Sequence, residues 1–152
     1  MAKFECSLKG DFNAVLRIIE QGIFEAYDSN FINGGDFQSG KFRCAVRVFE
    51  RTMYGRDLAV TDSDYSIAMS VLLADDGDNL FISAGTSGES RVVFLKGALD
   101  SRVNKLVDRL RRAIEAYKSG AQQGLDADAI ITKLHEESQA GREKDSSPAL
   151  EW

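Results

Sequence analysis

Proline occurs once, at Pro148, which excludes proline-rich and collagen-like chains. Histidine also occurs once, at His135, too few for a multi-histidine metal centre and far along the chain from either cysteine. The two cysteines, Cys6 and Cys44, cannot build a disulfide framework or a four-thiolate zinc site. No run approaches the roughly 18 apolar residues of a membrane-spanning helix. The opening Met1-Ala2-Lys3-Phe4-Glu5 lacks the apolar stretch of a secretory signal. These absences predict a cytoplasmic protein with no membrane association, no metal and no cofactor.

What is present is ordinary for a globular domain: 152 residues, 43% hydrophobic and 28% charged. A chain of this length buries roughly 68–70% of its unfolded surface, enough for a proper core. The formal net charge of −5 is uneven. Residues 1–118 are nearly neutral, whereas 119–152 set Lys133, Arg142 and Lys144 against an excess of acids. Overall negative charge argues against general nucleic-acid affinity, which depends on neutralising phosphates.

Hydrophobic period orders the elements. Phe4, Cys6 and Leu8 alternate with polar residues as a half-buried strand. Asp11 can cap a helix over residues 11–27, with Phe12, Val15, Leu16, Ile19 and Ile23 on one side. Residues 30–40, with Gly34, Gly35 and Gly40, read as a loop with at most a short irregular strand. From Lys41 the period becomes two: Phe42, Cys44, Val46 and Val48 are expected to face inward, and Arg43, Ala45, Arg47, Phe49 and Arg51 outward. Tyr65, Ile67, Met69, Val71 and Leu73 form a further inward set. Asp75-Asp76-Gly77-Asp78 is a hairpin connection. A strand over residues 80–84, a turn at Gly85-Thr86-Ser87-Gly88 and a last strand over residues 91–96 follow. Val103, Leu106, Val107, Leu110, Ala113, Ile114 and Tyr117 mark a long amphipathic helix over residues 101–118.

The expected fold is therefore α+β: an antiparallel sheet of about five to six strands, order β-α-β-β-β-β-α, with both helices on one face. Residues 1–118 form one domain. Residues 119–152 form an acidic tail with a short helix near 126–135, otherwise largely disordered.

The stretches Gly10-Asp11-Phe12, Ser39-Gly40-Lys41-Phe42-Arg43-Cys44-Ala45-Val46-Arg47-Val48 and Ile82-Ser83-Ala84-Gly85-Thr86-Ser87-Gly88 resemble a family of small bacterial proteins of unknown function. That resemblance covers about residues 1–118 and carries no catalytic residues. The element order is also similar to one half of a TATA-box-binding-protein-like fold, which implies a curved sheet and nothing about DNA. A helix-grip fold, with a ligand cavity between sheet and long helix, is the alternative architecture.

Short motifs do not add chemistry. Gly35 to Lys41 matches G-x-x-x-x-G-K, but Phe42 stands where a magnesium-binding Ser or Thr belongs and the continuation alternates as a strand. Asp62, Asp64, Asp75, Asp76 and Asp78 lack the ligand spacing of a calcium loop. Both cysteines alternate with apolar residues as small hydrophobes, and no catalytic constellation is evident around His135. An enzyme is not indicated.

The remaining candidate is the second face of the strand that starts at Lys41. Arg43, Arg47, Phe49 and Arg51, with Ser66, Ser70 and Leu72 on the neighbouring strand, are expected to form an accessible surface. Arginine forks between small residues suit carboxylate or phosphate, and arginine with aromatics is common at interfaces. The leading expectation is a binding protein that self-associates, as a homodimer, or binds a protein partner through this face. The alternatives are nucleic-acid or anionic-ligand binding by the three arginines, and a small-molecule carrier with a cavity beneath the final helix.

Overall fold

The computed structural model describes residues 2–24, 30–53, 65–90 and 96–145. Strand β1 spans Lys3–Leu8, helix α1 spans Phe12–Arg17, and a π-helical segment continues it over Ile18–Phe24. Strands β2 (Asn30–Ser39), β3 (Phe42–Met53), β4 (Tyr65–Asp75) and β5 (Leu80–Ser90) follow. Helices α2 (Lys96–Gln122) and α3 (Ala127–Asp145) complete the order. The strands form one five-stranded antiparallel sheet in the order β1-β5-β4-β3-β2. The α+β class and the single helical face are as the periodicity predicts.

Helix α1 begins where Asp11 turns the chain. The Asp11 carboxylate accepts from the Ala14 N–H at 2.9 Å, and the Asp11 N–H donates to the Tyr117 hydroxyl at 2.9 Å. One end of α2 is thereby tied to the start of α1. Val103, Leu106, Leu110, Ala113, Ile114 and Tyr117 of α2 are buried against Ile67, Met69, Val71 and Leu73 of β4 and Leu80, Ile82 and Ala84 of β5. Burial of these side chains, at about 1.5–3 kcal/mol for each large one, is the main source of stability. Among the described residues, the side chains between α2 and the sheet belong to this one core.

Several elements differ from their sequence reading. The segment read as a loop is β2, which pairs with β3 along its length apart from a bulge at Asn33/Gly35. A Cβ on Gly34 would lie 2.7 Å from Val46 Cγ1, and Gly35 has φ +122°, so glycine lets the strand run close to β3 and kink. Gly40 and Lys41 are the two-residue turn of a hairpin closed by Ser39 and Phe42. The G-x-x-x-x-G-K run therefore leads from strand to strand, with no helix N-terminus to cradle phosphate.

The turn expected at Gly85–Gly88 lies inside β5, because β1 and β4 pair with it on both sides. Thr86 reinforces the β1 side: its N–H donates to the Ala2 carbonyl at 2.9 Å, and its hydroxyl accepts from the Ala2 N–H at 2.9 Å. The expected last strand over 91–96 falls outside the described residues except for Lys96, which begins α2.

The short helix expected near 126–135 runs Ala127–Asp145. It seats Ile130, Ile131 and Leu134 in the core, against the π-helical segment, α2 and α1. Arg17 pairs with Asp128, and His135 Nε2 donates to the Gln21 carbonyl at 2.6 Å.

Candidate functional site

The largest departure from expectation is the phase of β3. Ala45, Arg47 and Phe49 are buried on the helical face, while Phe42, Cys44, Val46 and Val48 lie on the other. The register explains why: Ala45 stands opposite Leu73, Arg47 opposite Val71 and Phe49 opposite Met69, all core positions of β4. A strand whose neighbour is committed to the core must follow that neighbour's phase.

Arg47 is therefore no surface group. It is 4% exposed, its Nε donates to Glu20 Oε1 at 2.7 Å, and its NH1 donates to Asp36 Oδ1 at 2.7 Å and to the Val46 carbonyl at 3.1 Å. Burial acts against its charge, but the hydrogen bonds to Asp36 and Glu20 outweigh that and hold the guanidinium protonated more firmly than usual. The hydrogen bond from Arg47, helped by the nearby charges of Arg47 and Arg43, holds the Asp36 carboxyl below its ordinary range. Arg43 is half-buried over the Phe12 ring, 4.2 Å from its centroid, and donates to Asn13 Oδ1 at 2.9 Å. Phe49 is fully buried.

The expected surface is thus divided. Arg43, Arg47 and Phe49 lie on the helical face, and Ser70 and Leu72 lie exposed on the opposite one. Arg51 and Ser66 belong to β3 and β4, but their side chains lie outside the described residues. A row of accessible arginine forks does not form, because Arg47 is consumed by two carboxylates and Arg43 by a ring and an amide.

The face that no described helix covers carries apolar groups instead. Phe37 is 58% exposed, Phe42 43%, Phe81 43% and Leu72 38%. All four lie on this face, with Cys44, Val46, Val48 and Ala74 half-buried between them. Two cross-strand rows define it. One runs Ser7–Phe81–Ala74–Cys44–Phe37, the other Glu5–Ser83–Leu72–Val46–Gly35, each in the order β1-β5-β4-β3-β2. Phe37 and Phe42 flank the β2–β3 turn as a tilted aromatic pair, with ring centroids 6.4 Å apart. Toward β1 a shallow hollow of about 380 Å³ opens, lined by Glu5, Cys6, Ser7, Leu72, Phe81, Ile82 and Ser83. Among the described strand positions the charges on this face are marginal: Lys3 and Glu5 at the β1 edge, Glu50 on β3 and Glu89 near the end of β5.

Two acids of the β4–β5 turn cap backbone amides of the turn itself. The Asp75 carboxylate accepts from the Gly77 N–H at 2.8 Å, and Asp76 accepts from the Asp78 and Asn79 N–H groups at 2.9 and 2.8 Å. The Asn79 and Asp78 amides hold the Asp76 carboxyl below its usual range. Among the described residues no cluster of three or more His, Cys, Asp or Glu side chains is arranged to hold a metal. Burial raises the Cys6 thiol above its ordinary pKa, with Lys118 acting against it. No described helix is long and apolar enough to cross a membrane.

A family of unknown function, DUF6054, matches residues 1–118. Among solved structures, the hypothetical protein jhp0584 from Helicobacter pylori is 16% identical, with 76% of this chain and 85% of that one covered at a TM-score of 0.40. TTHA0849 from Thermus thermophilus is 12% identical, with 95% and 98% covered at a TM-score of 0.27. No curated protein matches.

Proposed function

We propose that the chain, which belongs to the DUF6054 family and takes no chemistry from that family's description, is a non-enzymatic interaction protein that self-associates through its open sheet face. The observation that carries this reading is the inversion on β3. Its apolar set, Phe42, Cys44, Val46 and Val48, lies on the face away from the helices, and Arg43 and Arg47 lie beneath them. A solvated sheet face is ordinarily the polar one. An apolar face of this kind, continued by Phe37, Leu72 and Phe81, is the mark of a surface covered in use.

The arginine-based readings lose Arg43 and Arg47. Binding of nucleic acid or another anion requires free guanidinium forks, and those of Arg43 and Arg47 already have partners. Apolar self-association predicts an affinity that changes little with salt, whereas phosphate binding predicts a steep fall.

Sedimentation equilibrium over low to high micromolar concentration tests the proposal. The wild-type chain is expected to dimerise at both low and high salt. Leu72→Glu, which places a charge at an exposed position, is expected to remain monomeric with an unchanged circular-dichroism spectrum. A wild-type chain that stays monomeric throughout overturns the reading.

A further inference from the structure

We infer that the occupant of the open face is a second copy docked about a two-fold axis parallel to β4, so that Phe37 of each copy, flanked by Phe42, enters the hollow of the other. This rests on the self-association proposed above and specifies its geometry. An isologous contact requires that a surface be complementary to itself, residue i meeting j and j meeting i. For two sheets packed face to face, an axis running along the central strand lays β2 and β3 of one copy over β1 and β5 of the other.

Away from the axis, each of the two main cross-strand rows then matches larger side chains against smaller ones. In the first row Ala74 meets Ala74, Cys44 meets Phe81, and Phe37 meets Ser7. In the second Leu72 meets Leu72, Val46 meets Ser83, and Gly35 meets Glu5. A third row, Lys3–Gly85–Ser70–Val48–Ile32, sets Val48 over Gly85, Ser70 over Ser70 and position 32 over Lys3. The valines of β3 thus oppose Ser83 and Gly85 of β5 throughout. An axis across the strands would instead stack β3 on β3 and β1 on β1, leaving both hollows unfilled. Knob and hollow occupy opposite flanks of one face, which is the arrangement a two-fold along β4 needs.

The size is adequate. Five strands about 4.8 Å apart and about 22 Å of strand length give on the order of 500 Å² of footprint per copy, so two copies bury about 1,000 Å² or more, at the threshold of a specific interface. The margins do not oppose it, since the β1 edge offers one charge of each sign, Lys3 and Glu5.

Phe81→Cys tests the geometry in the full chain. Within one copy residues 81 and 44 are separated by β4, about 10 Å, too far for a disulfide. Cys6 points to the opposite face of the sheet from residue 81. Across the proposed axis, position 81 faces Cys44, and sheets packed face to face can be bridged in this way. Mild oxidation of Phe81→Cys is expected to yield a covalent dimer that disappears in Phe81→Cys/Cys44→Ala. Phe37→Ala and Ser7→Trp are each expected to raise the dimer dissociation constant about tenfold or more. A wild-type dimer whose Phe81→Cys variant fails to couple, or couples equally without Cys44, overturns the proposed axis and leaves face-to-face association standing. A monomeric wild-type chain overturns both.

Discussion

Arg47 provides the most discriminating test of how the fold is held. Its side chain is 5% exposed, while those of Glu20 and Asp36 are 29% and 56% exposed. The charges of the cluster are therefore unequal in their access to water. Arg47→Met removes the guanidinium but keeps most of the buried stem volume, and both carboxylates can turn outward and rehydrate. The expected loss is about 1 kcal/mol, the scale of a partly exposed ion pair. Glu20→Leu/Asp36→Ala leaves the guanidinium in place without a carboxylate. Removing the partners of a buried charge costs about 3–5 kcal/mol, and the wet rim places this case near 3. With about 2–4 °C per kcal/mol at this chain length, the melting temperature should fall by about 2–4 °C for Arg47→Met and about 6–12 °C for the double variant. Adding Arg47→Met to the double variant should restore most of the loss, because no buried charge then remains. Thermal and urea unfolding followed by circular dichroism measure all three. If Arg47→Met costs as much as removing both acids, the arginine reaches water and the account of the cluster is wrong.

Two further outcomes follow from the same contacts. Because the folded Asp36 carboxyl titrates below its unfolded value of about 3.9, its contribution to stability is complete above that pH and is lost as pH falls through the depressed folded value. Urea midpoints of wild type and Asp36→Asn should therefore differ at pH 6 and converge toward pH 3, and a constant difference would refute this. Tyr117→Phe deletes the acceptor for the Asp11 N–H and should cost about 1 kcal/mol in urea unfolding with an unchanged m-value, whereas a neutral effect would show that the tie between α2 and α1 contributes nothing.

The sequence made some elements plain and misdirected others for identifiable reasons. Helix α2 was legible because its apolar stripe is unbroken from Val103 to Tyr117, and β4 because Ile67, Met69, Val71 and Leu73 alternate cleanly. Strand β3 offered two phases. The more apolar set was the natural choice for the interior, and it was the wrong one. What reversed it lies far along the chain: Glu20 on the π-helical segment and Asp36 on β2 make an inward Arg47 tolerable. Neither partner is visible from spacing around Arg47. Strand β2 was hidden by Gly34 and Gly35, which read as a loop yet serve a bulge. The aromatic pair at Phe37 and Phe42 went unnoticed with it, although a two-residue Gly40-Lys41 turn between alternating segments is itself a hairpin signal. Of the expected surface, Ser70 and Leu72 stand on the open face, and the arginines that motivated it do not.

Helix α3 separates two boundaries that are often treated as one. The family match stops at residue 118, yet Ile130, Ile131 and Leu134 from beyond that point are embedded in the same oily interior as Ile18 and Leu110. A version trimmed to the homologous region would bare a greasy cleft along the π-helical segment, on the side of the molecule away from Phe81 and Leu72. Clumping of such a shortened polypeptide would then report the wound left by the missing helix, so association experiments belong on chains that retain Ala127–Asp145.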